Sequence, residues 1–263
     1  MIPQAFITQW RQQVPWQVNE QVEQDLVICR ALVEIFSHEW LKIRLAFRGG
    51  TALHKLFLKP QARYSEDIDL VQITSGPIKD IVEHLQACLT FLGKATTDPR
   101  KHGIRLNYHY ESEFSPIQRM KLKVEINTRE HFSVLGFEKV PFEVKSAWYT
   151  GSCIITTYKL EELLGTKLRA LYQRRKGRDL FDLAQALKKG PELNKDEIRK
   201  CYKDYMNFSL GQFASRKQFL QNMESKIRES EFLGDTTALL RPGVIYNPQV
   251  AWDVLRTEII EKI

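Results

Sequence analysis

Phe47-Arg48-Gly49-Gly50-Thr51-Ala52-Leu53-His54-Lys55-Leu56-Phe57-Leu58, followed by Arg63-Tyr64-Ser65-Glu66-Asp67-Ile68-Asp69-Leu70, decides the reading of this chain. The order is strand, glycine turn, short helix, loop and second strand. The apolar run 43–47 suits a buried strand. Gly49 and Gly50 let the backbone approach a ligand closely, and Ala52, Leu53, Leu56 and Phe57 form a helical stripe. N–H groups free in the first turn of such a helix suit phosphates, and the Thr51 hydroxyl could add a donor.

In the strand that follows, Asp67 and Asp69 are two residues apart and project from one face, while Ile68 and Leu70 point the other way. Two adjacent carboxylates resist joint ionisation, and Mg²⁺, which takes oxygen ligands, resolves that conflict. Taken alone, such a pair also fits a solvated edge strand or a turn. The preceding glycine turn and helix favour the metal reading.

Outward from this pair, Leu122-Lys123-Val124-Glu125-Ile126-Asn127 alternates as a strand and offers Glu125 as a third carboxylate. Paired beside the Asp67 strand, Glu125 could complete a metal site or take a proton from an attacking hydroxyl. The alternative is an exposed glutamate opposite a cross-strand lysine. Upstream, Asn19 is placed to cap a helix, preceded by an arm carrying Trp10 and Trp16. Downstream, Pro77 opens a helix over 78–92, residues 93–103 read as a loop, and 104–110 alternate as a strand. Residues 128–148 are less regular, with loops or a hairpin around Gly136 and Pro141, and 153–157 suit a last strand.

From there the pattern turns helical, so a soft boundary divides 1–156 from 157–263. Leu160, Leu163, Leu164, Leu168 and Leu171 face inward on the first helix of the second part. Lys167 and Arg174 lie on one stripe of it, suited to a triphosphate and departing pyrophosphate. Between residues 167 and 178, Lys167, Arg169, Arg174, Arg175, Lys176 and Arg178 form a basic patch with no acid among them. Asp179 and Asp182 share a face of the next helix, where capping plus a salt bridge to Arg175 is the competing explanation. Asn194 caps a further helix, residues 212–228 read as another, 232–243 as a loop, and Asn247-Pro248 opens the last.

A chain of 263 residues, 43% hydrophobic and 27% charged, is long enough to bury a substantial core without cross-links, in one large or two ordinary domains. No stretch approaches a membrane span, and residues 1–6 lack the regions of a signal peptide, which predicts a cytoplasmic location. The four cysteines and six histidines are scattered, with no zinc-ligand spacing. His54 near the glycine turn reads as structural. A net charge of +7 favours polyanionic partners or solubility alone.

The motifs G-G-T-A-L (49–53), R-Y-S-E-D-I-D-L (63–70), K-V-E-I-N (123–127) and K-L-R-A-L-Y-Q-R-R-K-G-R-D-L-F-D-L (167–183) resemble those of the AbiEii/AbiGii-type nucleotidyltransferase toxins. That group includes the MenT toxins and belongs to the DNA polymerase β-like superfamily; the resemblance covers residues 40–190. It implies an α+β fold, a polymerase β-like domain with a mixed sheet and flanking helices, followed by a mainly helical domain that completes the site. It implies an antitoxin partner and Mg²⁺-dependent transfer of NMP from an NTP to an RNA such as the tRNA 3′ end. Carried onto this chain, Gly49, Gly50 and Thr51 would hold the nucleotide phosphates, with Ser65 in the same loop. Asp67 and Asp69 would bind Mg²⁺, with Glu125 as third acid, and Lys167 and Asp179 would act from the helical half.

Two rivals remain at this level: an NTP-binding regulator without turnover, and transfer to a protein or small-molecule hydroxyl. The basic patch discriminates, since only an RNA acceptor makes activity depend steeply on salt.

Overall fold

In a computed structural model, which describes residues 2–188 and 192–263, the chain divides into two compact units. The first takes the residues up to Leu56 together with Tyr64–Phe132 and Phe137–Tyr158; the second takes Phe57–Arg63, Ser133–Gly136 and Lys159–Ile263.

The first unit is built on seven strands: β1 (Leu45–Arg48), β2 (Asp67–Gln72), β3 (Thr96–Arg100), β4 (Gly103–Glu111), β5 (Arg119–Asn127), β6 (Phe137–Lys145) and β7 (Thr150–Tyr158). They form one mixed sheet in the order β3-β4-β5-β2-β1-β7-β6. β2 runs parallel to β5 and antiparallel to β1, and β1 runs parallel to β7. Period-two alternation sorts the residues. Ile68, Leu70, Leu122, Val124 and Ile126 are all fully buried on one face, while Asp67, Asp69, Lys123 and Glu125 stay partly exposed on the other.

Helices α1 (Gln4–Trp10), α2 (Asn19–Ser37), α3 (Glu39–Lys42), α4 (Gly49–Ala52) and α5 (Ile78–Cys88) complete this unit. α2 packs on β5 and β7 and is buried on nearly every side. Its buried Asp25 is partnered accordingly: it accepts from Trp10 Nε1 at 3.1 Å, from Trp16 Nε1 at 3.0 Å and from Lys55 Nζ at 2.6 Å. The tryptophan arm is thus pinned to α2. Asn19 does not cap that helix; Val18 holds the cap position without a side-chain bond.

The second unit holds α6 (Leu160–Gln173), α7 (Gly177–Leu187), α8 (Lys195–Leu210), α9 (Arg216–Lys226), α10 (Ser230–Gly234) and α11 (Pro248–Glu258). α6 packs on α7 and α8, and α7 on α11. The expected caps form: Asn194 accepts from the amides of Asp196 and Glu197, and Asn247 from those of Gln249 and Val250. α9 starts with a capping box at Ser215 and Gln218.

Three segments differ from their sequence reading. Residues 96–100 form strand β3 rather than loop, and 137–145 form β6 rather than irregular structure. Both are edge strands: β3 is largely exposed and gives no alternation, β6 alternates only over its second half, and an edge tolerates Pro99 and Pro141. Phe232, read as loop, is buried within α10, its carbonyl 2.1 Å from where a Cβ on Gly177 would sit. Among the described residues no helix is long and apolar enough to cross a membrane.

Candidate active site

The strand register assembles the acids. On β2, Asp67 lies opposite Lys123 of β5 and Asp69 opposite Glu125, while on the other side Arg48 of β1 pairs with Asp69. Opposed residues of neighbouring strands share a face, so one row reads Arg105, Glu125, Asp69, Arg48 across four strands. Arg105 holds Glu125 Oε2 with Nε at 3.0 Å and NH2 at 2.8 Å. Arg48 is held by Glu130, whose backbone N–H donates to Asn127 Oδ1 at 2.9 Å.

Asp67 differs from its neighbours. Its Oδ1 is buried and makes no hydrogen bond. The Lys123 ammonium lies 3.2 Å from that oxygen and donates weakly to Oδ2 at 3.5 Å. The carboxylate thus keeps an oxygen facing charge but lacking a bond, which suits a hard cation.

Gln24 of α2 sets the height of β2 against β5. Its Nε2 donates to the carbonyl of Glu66 at 3.0 Å and to that of Lys121 at 3.1 Å, and its Oε1 accepts from Tyr110 at 2.7 Å. The glycine motif closes the other side. Gly49 has φ +81°, and a Cβ built on it would lie 2.0 Å from Asp69 Oδ2. Thr51, almost wholly buried, donates to the carbonyl of Asp67 and shares a 2.9 Å hydrogen bond with Ser65 Oγ. Its hydroxyl therefore serves first to tie the short helix to the start of β2, and Ser65 is part of the same tie.

A cavity of about 330 Å³ opens beside these residues. Arg48, Asp69, Glu125 and Asn127 line it from the sheet, and the β3–β4 turn closes it with Arg100, Lys101, His102 and Gly103.

The second unit has its own ion cluster. Lys167 Nζ lies 3.0 Å from Asp179 Oδ1 and 2.9 Å from Asp182 Oδ2. Arg63 binds Asp182 through Nε at 2.6 Å and NH2 at 2.7 Å, and Arg174 binds Asp179 through Nε at 2.6 Å and NH2 at 2.8 Å. Both aspartates are fully buried. Burial alone would raise the Asp179 carboxyl; Lys167 and Arg174 outweigh it and hold the group below its ordinary range. The partner expected for these aspartates, Arg175, instead pairs with Glu229.

The basic patch of 167–178 is likewise compensated. Lys176 and Arg178 lie 3.5 and 3.2 Å from Asp235, and Arg169 sits over the Tyr205 ring at 5.2 Å. Acids distant in sequence neutralise a run that looks free when read alone.

A sequence profile of the AbiEii family, described as "Nucleotidyl transferase AbiEii toxin, Type IV TA system", matches residues 30–254. The chain belongs to the AbiEii nucleotidyltransferase toxin family. This AbiEii-family chain is similar in fold to MenT4, a nucleotidyltransferase toxin from Mycobacterium tuberculosis H37Rv. The TM-score is 0.65 at 14% identity, covering 100% of this chain and 91% of that one. It is also similar to a candidate nucleotidyltransferase from H. pylori, with a TM-score of 0.52 at 17% identity, covering 94% and 97%. No curated protein sequence matches. The expected mixed sheet with flanking helices and helical C-terminal part is the fold of this AbiEii-family chain, and membership implies an NTP substrate and an antitoxin partner.

AbiEii membership makes a divalent cation the natural cofactor to test against the residues. The aspartate pair fits one: two carboxylates on one face, one oxygen of Asp67 buried without a hydrogen bond. The fit is to a pair. Among the described residues no three His, Cys, Asp or Glu side chains gather closely enough to hold a metal, and Glu125 is engaged by Arg105. Arg48, Lys123 and Arg105, the cations that compensate these acids, were not legible in the sequence. Alternation places them on the right face, but only strand order makes them neighbours.

Proposed function

We propose that this AbiEii-family chain transfers NMP from an NTP to an RNA hydroxyl, at the tRNA 3′ end, in an Mg²⁺-dependent reaction. The observation that carries this is the Asp67–Asp69 pair on one face of β2, with Gly49 packed against the second carboxylate.

Asp67 and Asp69 hold the cation. Bound there, Mg²⁺ would neutralise charge on the phosphates and steady the entering and leaving oxygens. Gly49 and Gly50 let the backbone come close to the nucleotide, while Thr51 and Ser65 keep that segment on β2. The acceptor oxygen forms a bond to the α-phosphorus, the bond from that phosphorus to pyrophosphate breaks, and Glu125 accepts the hydroxyl proton. Arg105 engages Glu125, and among the described residues no third acid gathers with the aspartate pair, which favours proton acceptance over ligation as its role. Lys167 and Asp179, whose ion pair is internal to the second unit, support the same transfer. The family likeness and the net charge of +7 support a polyanionic acceptor.

The test is incorporation of radiolabelled NMP into total tRNA by the wild type and by Asp67→Asn, with titrated Mg²⁺. Labelling by the wild type that EDTA and Asp67→Asn both abolish is expected. Equal labelling by both proteins would remove the metal assignment, and labelling of proteins but not RNA would remove the acceptor.

A further inference from the structure

The cavity beside Asp69 is bipolar. Its floor carries the carboxylates of Asp69 and Glu125 beside the Arg48 guanidinium; its rim carries Arg100, Lys101 and His102 on the β3–β4 turn. Gly103 makes this turn possible, since a Cβ there would fall 2.0 Å from the carbonyl oxygen of Ile126. The turn is therefore pressed onto the end of β5, with its cations exposed above the acids. Arg100 is paired with Asp98, and the His102 ring lies within 3.4 Å of Arg129. Lys101 is exposed, and among the described residues no carboxylate pairs with it.

This lining selects among ligands. On the reading above the triphosphate lies with the cation on the Gly49 side of Asp69, whereas Glu125 lies on its other side in the same strand row, beneath the β3–β4 turn. A strand end fits that half: a terminal nucleotide carries its hydroxyls on one side of the ribose and its single phosphodiester on the other. About 330 Å³ is small, at the lower end of ligand pockets, and suits one nucleotide rather than a folded RNA surface.

We propose that the cavity between the β3–β4 turn and the Asp69–Glu125 floor seats the terminal nucleotide of the acceptor RNA. Its hydroxyl lies toward Glu125, and Arg100 and Lys101 grip the phosphodiester 5′ to it. This rests on the nucleotidyl-transfer reading above and assigns it an acceptor subsite. It also supplies the contact with polyanion that the compensated patch of 167–178 does not.

The experiment uses the full chain and a 5′-fluorescent single-stranded RNA hexamer ending in a free 3′-hydroxyl. Arg100→Glu with Lys101→Glu is expected to raise the KM for the hexamer by about tenfold or more and to flatten the salt dependence of its binding by anisotropy. The KM for NTP should move far less. The Arg100→Gln, Lys101→Gln variant should fall between, and equal thermal midpoints would show that both variants fold. An unchanged hexamer KM overturns the subsite, as does a rise in the NTP KM alone, which would give the cavity to the triphosphate. If the wild type transfers nothing to RNA yet binds the hexamer through Arg100 and Lys101, the transfer reading falls and the subsite stands. If it transfers normally and the charge reversals change nothing, the subsite falls and the transfer reading stands.

Discussion

The carboxylate of Asp69 lies directly against Gly49: a Cβ built on that glycine would sit 2.0 Å from Oδ2 and 2.8 Å from the carboxyl carbon. One residue is thus glycine for two independent reasons, the space it leaves and its φ of +81°. The glycine motif and the aspartate motif, twenty residues apart, are two halves of one contact.

Gly49→Ala is accordingly expected to impair transfer severely while leaving the fold standing. The left-handed backbone alone costs about 1–2 kcal/mol for an L-residue. The methyl also displaces Asp69, and a displacement of that order costs transfer about 100-fold. NMP incorporation read beside the thermal midpoint checks this; a fully active Gly49→Ala would mean that the position of Asp69 is immaterial.

At the proposed metal site Lys123 would compete with the cation for Asp67, its Nζ 3.2 Å from Oδ1. Lys123→Met should therefore lower the Mg²⁺ concentration giving half-maximal transfer, by about two- to fivefold, the range that a partly exposed ion pair allows. A Mg²⁺ titration of initial rates decides it, and a raised requirement would make the lysine a helper instead.

The buried cluster of Arg63, Lys167, Arg174, Asp179 and Asp182 should behave unlike the exposed pairs. Asp182→Ala removes the bidentate partner of Arg63, only 1% exposed, and is expected to cost about 3–5 kcal/mol in urea unfolding. Arg175→Ala, which loses an exposed pair with Glu229, should cost no more than about 1 kcal/mol. Similar losses for the two would contradict the burial of the cluster.

Glu23 supplies a pH-dependent test. Burial raises its carboxyl from the ordinary 4.5 to about 7. Between those values the folded chain binds a proton that the unfolded chain has lost, so stability falls as pH rises from about 4.5 to 7. Glu23→Gln keeps an oxygen to accept the Glu113 amide, now 3.1 Å from Oε2, and removes this slope. Relative to wild type it should gain up to about 3 kcal/mol between pH 4 and pH 8 in urea midpoints. A constant difference across that range would show that Glu23 does not titrate there.

Much of the fold was legible because its signals are local. Alternation placed Asp67 and Asp69 on one face, leucine spacing gave the buried stripe of α6, and Asn194 and Asn247 cap as their neighbours predict. The same reasoning failed where neighbours in space decide. Asn19, placed to cap α2, does not cap it, and Arg175, expected beside Asp179 and Asp182, pairs with Glu229. Strand β3 lies at a sheet edge with its side chains largely exposed, which leaves no period to read.

By itself the sequence determined which residue types could do chemistry and on which face of each element they lie, since strand and helix periods depend only on local backbone geometry. Only the tertiary structure decided their partners: that β5 lies beside β2, so that Glu125 meets Asp69; that Arg105 occupies Glu125; and that Asp179, Asp182, Glu229 and Asp235 neutralise the basic run. Strand order and charge pairing are set by burial summed over the whole chain, and that sum has no local trace.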